Sequence, residues 1–179
     1  MKRKKRIGYG DVLAVPCGDG LSALVQIVSE ADVMLYVMAF DRRVPDETVT
    51  VSAEVLDAIS EDPRLTFVTT DGKPATEDWR LLGNAGVLCD VPFPVGKVRS
   101  DGEWLYVNVF GEPVCTMDPD LSGEFDYSHS QSTGMVDAVI TASFGEGPWY
   151  DGYNTCLPPA RRFEEVLPEF AAFRAVADR

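Results

Sequence analysis

The chain has 179 residues, 45% of them hydrophobic, with 29 acidic residues against 16 basic and a formal net charge of −13. That length suits one domain, and the apolar fraction is too high for a disordered chain. So acidic a protein repels nucleic-acid phosphates and anionic membranes, and no apolar run approaches the roughly 18 residues that cross a bilayer.

Residues 2–6 read Lys-Arg-Lys-Lys-Arg. No apolar stretch follows, so this is no secretory signal. Residues 1–6 are expected to be a basic flexible tail ahead of a single α+β domain over 7–179, in a protein that stays in the cytoplasm. Beyond the tail, 11 basic residues remain against 29 acidic ones, a balance of −18. Such a body steers a basic protein toward it.

Gly10-Asp11 is a turn pair before the apolar run Val12 to Pro16, and Cys17-Gly18-Asp19-Gly20 offers two glycines for a hairpin turn into a return strand over Leu21–Val28. Val33–Phe40 is almost continuously apolar, the mark of a strand buried on both faces. Three strands in sequence make a meander, expected as a strongly bent antiparallel sheet or small barrel. Ala53, Val55, Leu56 and Ile59 have helical spacing, with Ser52 as N-cap and a stop before Asp62-Pro63. Leu65–Thr70 reads as a strand ended by Asp71-Gly72, and Asp78–Asn84 as an aromatic and apolar segment ending in a turn. Val91-Pro92-Phe93-Pro94 must be extended. Lys97–Arg99, Ser100-Asp101-Gly102 and Trp104–Phe110 make a second hairpin, its Asp-Gly the strongest turn signal in the chain. Met135–Phe144 is apolar enough for a buried helix or a strand and leans to helix, and the apolar stripe from Phe163 to Val176 predicts a helix that kinks or restarts at Pro168. The sheet comes first, with helices in the middle and at the C-terminus.

Signs of chemistry are few. Cys17, Cys89, Cys115 and Cys156 form no Cys-x-x-Cys unit and suit reduced thiols, while His129 is the only histidine and lies in a polar run, Tyr127–Ser132. It reads as a surface residue, with a general base or pH-sensitive contact as the functional alternative. No nucleophile elbow, phosphate loop or dinucleotide fingerprint occurs. No catalytic residue, metal ligand or cofactor is therefore assigned. Asp118, Asp120, Glu124 and Asp126 could together hold a cation, but they miss the EF-hand spacing and read better as a solvated or partner-facing loop. Trp79, Trp104 and Trp149 each suit a core. Trp149-Tyr150-Asp151-Gly152-Tyr153 differs, because three aromatics among glycines are hard to bury together. Exposed aromatics beside acids suit a protein-binding hot spot, so Trp149, Tyr150 and Tyr153 join the four acids as the expected partner surface.

The basic start, Gly10-Asp11-Val12-Leu13-Ala14-Val15-Pro16 and Gly18-Asp19-Gly20 resemble the opening of the immunity protein 26 family, and Trp79–Asn84 followed by Pro92-Phe93-Pro94 resembles its later tryptophan–glycine and proline–aromatic signature. The resemblance implies a cytoplasmic protein that binds and neutralises a cognate bacterial toxin. It leaves the toxin's identity and the oligomeric state open. The same grouping is associated with a small phosphotriesterase, so a hydrolase of activated esters, with His129 or a thiol as reactive group, is the alternative. A single histidine does not suit a multi-histidine binuclear metal site.

Overall fold

Apolar side chains on both sides of the backbone make three consecutive antiparallel strands: β1 (Asp11–Pro16), β2 (Leu21–Ala31) and β3 (Met34–Pro45). The computed structural model describes residues 7–31, 34–70, 79–89, 96–107, 113–117 and 133–158. It divides the chain into two units, one of Met1–Asp90 with Ser130–Leu157, the other of Val91–His129 with Pro158–Arg179.

In the first unit, β4 (Leu65–Thr70) pairs with β3 and β5 (Arg80–Asn84) pairs with β1, giving a five-stranded sheet in the order β4-β3-β2-β1-β5. The turn between β1 and β2 needs its glycines: Gly18, Asp19 and Gly20 have φ of +102°, +54° and +71°. Cys17 N–H donates to Leu21 O, and Leu21 N–H to Gly18 O, closing the hairpin.

Both faces of this sheet are covered. On one, Leu13, Val15, Val25, Ile27, Leu35, Val37, Leu65 and Phe67 form a core with Trp79, and with Val136, Val139 and Ile140 of helix α2 (Thr133–Ser143). On the other lie the alternate residues Val12, Ala14, Tyr36, Met38 and Phe40, all buried. Helix α1 (Ala53–Ile59) packs against β2 and β3 and buries Val55, Ala58 and Ile59. Ser52 caps it as expected, accepting from Val55 N–H at 3.3 Å.

The architecture is therefore α+β, mainly antiparallel sheet with a few short helices. The bent or barrel-like closure is not found: the described sheet ends in two edge strands, β4 and β5. Helices cover its apolar faces, so it need not curl onto itself to bury them. Within the segment expected only to end in a turn, Arg80–Asn84 forms edge strand β5.

Gly10 and Asp11 sit where β1 meets β5. Asp11 is buried, accepting from Gly8 N–H at 3.1 Å and from Asn84 Nδ2 at 3.0 Å; Asn84 also donates to Tyr9 O at 2.7 Å. Gly10 has φ +80°, and a Cβ there would lie 2.9 Å from the Asn84 amide. Gln26 Nε2 donates to Gly86 O, tying the chain after β5 to the sheet.

The second unit holds a three-stranded antiparallel sheet in the order β6 (Gly96–Ser100), β7 (Glu103–Val107), β8 (Pro113–Thr116). Its β6–β7 turn has Asp101 and Gly102 at φ +50° and +89°, the doubly left-handed form that an Asp-Gly pair favours. The basic tail, Val33, Asp71-Gly72, Asp78, Val91–Pro94, Asn108–Phe110, the acidic stretch 118–126, His129 and the expected helix over 163–176 lie outside the described residues.

Ser52→Ala is expected to lower unfolding free energy by about 1 kcal/mol through loss of the cap. Gly10→Ala should cost about 1–3 kcal/mol, because it combines a left-handed φ with the clash on Asn84. Urea denaturation checks both, and unchanged midpoints would contradict these roles.

Candidate functional site

Helix α2 ends in a Schellman arrangement. Gly145, at φ +83°, donates its N–H to Ala142 O, and Glu146 N–H reaches Thr141 O. The chain then runs through Gly147-Pro148 to Trp149 and into a short 3-10 helix, Asp151–Cys156. Three residues per turn bring side chains at i and i+3 into line. Tyr153 and Cys156 therefore share a face, and Tyr150, the extended residue that precedes the helix, meets Tyr153: Cys156 is buried, Tyr153 packs half-buried against the core, and Tyr150 is 58% exposed.

Trp149, 39% exposed, joins this line. Its Nε1–H donates to Asn154 Oδ1 at 3.0 Å, fixing the indole against the helix that follows it. The Trp149 and Tyr153 rings meet edge to face at 5.6 Å and 88°, and Tyr150 and Tyr153 at 5.4 Å and 86°. The result is an aromatic ridge whose inner ring is anchored and whose outer rings face solvent, with exposed Asp151 between them in sequence. The expected partner residues Trp149, Tyr150 and Tyr153 are thus brought together. Asp118, Asp120, Glu124 and Asp126 lie outside the described residues.

The other tryptophans have different surroundings. Trp79 is buried in the core and donates Nε1–H to Asp137 Oδ1 at 2.6 Å. Trp104, in the second unit, is half-buried, with Lys97 Nζ and the Arg99 guanidinium 5.1 and 5.5 Å from its ring centroid. Sequence reading missed the 3-10 helix itself; the three-residue spacing of Tyr153 and Cys156 was the available signal.

The buried thiols of Cys17 and Cys156 do not read as activated nucleophiles. Burial pushes the Cys17 thiol up, outweighing the nearby Arg43 guanidinium, and burial likewise raises Cys156. Cys17 Sγ donates to Leu21 O at 3.4 Å. Both therefore stay protonated at neutral pH, the inert state of a thiol. Among the described residues no group of three or more His, Cys, Asp or Glu side chains is placed to hold a metal ion. No described helix is long and apolar enough to cross a membrane.

No family model, curated protein or solved structure matches this chain. Two segments singled out in the sequence meet in the sheet: Asp11 pairs with Asn84, and Val12 with Gly83. Gly10, Asp11 and Asn84 fasten the two strands there.

Burial also raises the Tyr36 phenol far above its ordinary value of 10.0. Below the ordinary thiol and phenol values, folded and unfolded chains hold these protons equally. As pH rises past 9.0 and then 10.0, the unfolded chain releases protons that folded Cys17, Cys156 and Tyr36 retain. Unfolding free energy should therefore fall through this window, and Tyr36→Phe should flatten the part above pH 10. Urea midpoints between pH 8 and 11 test this; an unchanged slope in Tyr36→Phe would refute the assignment. Alkylation followed by mass spectrometry should label half-exposed Cys89 well before Cys17 and Cys156.

Proposed function

We propose that the protein acts in the cytoplasm as an immunity protein, binding a basic toxin domain and neutralising it through the ridge of Trp149, Tyr150 and Tyr153. The observation that carries this reading is an aromatic cluster with two rings exposed on an anchored element. Large apolar rings with polar tips, held in place before a partner arrives, lose little entropy on binding and supply contact area where hot spots concentrate.

Charge supports the same reading. The chain carries −13 overall, and the described basic side chains of the first unit are already engaged. Arg42 pairs with Asp57 and Glu61, Arg64 with Asp41, and Arg43 lies 3.9 Å from Glu146; Arg80 donates to Thr48 O. The acidic excess, to which Asp118, Asp120, Glu124 and Asp126 contribute, steers a basic partner. The motif resemblance adds the toxin as the kind of partner.

The test is a binding assay between the purified protein and the product of the neighbouring gene, at low and moderate salt. A complex that silences a toxic activity is expected. Neutralising Asp118, Asp120, Glu124 and Asp126 together should slow association and flatten its salt dependence. The double variant Trp149→Ala, Tyr150→Ala should speed dissociation at least about tenfold, with a thermal midpoint near the parent's. A harmless neighbour that forms no complex at either salt would reject the reading.

A further inference from the structure

We infer that the aromatic ridge is a seat for an arginine guanidinium presented by the protein partner; this rests on the ridge being the partner surface. Aromatic faces carry partial negative charge and attract a cation within about 6 Å of the ring centroid, arginine more often than lysine. This protein already uses that pairing. The Arg43 and Arg64 guanidiniums each lie 5.1 Å from the Phe144 centroid, and Lys97 and Arg99 stack on Trp104. Among the described residues, no cation stacks on Trp149, Tyr150 or Tyr153 in this way.

The ridge has the features such a seat needs. Tyr153 is the fixed inner ring, and Trp149 and Tyr150 stand nearly perpendicular to it at 5.6 and 5.4 Å. Trp149 and Tyr150 are 39% and 58% exposed, and the Trp149–Asn154 hydrogen bond holds the indole in place. Asp151, exposed and adjacent to Tyr150 in the chain, supplies a counter-charge. A guanidinium suits this setting better than an ammonium, because it is planar and more weakly hydrated.

The probe is N-acetyl-arginine amide, titrated into the full chain at constant ionic strength, with N-acetyl-citrulline amide as its uncharged isostere. The readout is the indole N–H resonance of Trp149, assigned with Trp149→Phe. The arginine probe should shift that resonance saturably and leave the buried Trp79 signal in place. The citrulline probe should bind at least about fivefold more weakly, Tyr150→Ala should weaken the arginine probe by about fivefold, and Asp151→Asn by about twofold. Equal shifts with both probes, no saturable shift of Trp149, or an unaltered titration in Tyr150→Ala would overturn the proposal. Failure here is separable from failure of the immunity reading. Probe binding without a toxin complex leaves the seat standing alone, whereas a toxin complex indifferent to the arginine probe removes the seat and keeps the inhibitor.

Discussion

The first unit depends on burying both faces of its central strands. β2 and β3, 11 and 12 residues long, carry apolar side chains up and down, so neither face can be left to water. Each buried large side chain contributes roughly 1.5–3 kcal/mol, but only while a covering layer excludes solvent. Helix α1 supplies that layer on one face, and α2 supplies it on the other. The 3-10 helix follows α2 and adds Cys156 and Tyr153 to the same layer. The ridge thus stands where it does because its inner residues help close the core. Its exposed rings inherit rigidity from that packing.

The polar fastening between β1 and β5 has a different task. Asp11, Gly10 and Asn84 join the first strand to one that arrives some seventy residues later. A buried carboxylate is costly unless its oxygens are satisfied, and here each Asp11 oxygen accepts from a different partner. Gly10-Asp11, read from the sequence as a turn pair, also sets how β1 meets β5.

Much of the fold was legible because its signals are local. The apolar run after Gly10-Asp11, the glycines at 18 and 20, the Asp-Gly at 101–102 and the helical spacing after Ser52 each act within a few residues. The long apolar run of β3 announced burial on both faces without revealing what would cover them. A strongly bent sheet or small barrel is what three sequential strands with short turns suggest when closed up. The pattern cannot say whether a sheet covers itself or waits for α2, whose residues begin more than sixty positions after β4. Strand β5 was obscure for a related reason: its pairing partner β1 lies far away in the chain, and Gly83 interrupts its apolar pattern.

The sequence by itself determined an acidic chain with Trp149, Tyr150 and Tyr153 close together, because charge and aromatic spacing need no folding to be counted. It also determined where the chain turns, since left-handed backbone falls to glycine and aspartate by local sterics. Only the tertiary structure decided which aromatics are structural and which are available. Trp79 is enclosed by the core and bonded to Asp137, Trp104 lies against two cations, and Trp149 is held at the surface by Asn154. Those differences arise from neighbours that can be distant in the chain, and burial is a property of the assembled layers rather than of any one segment.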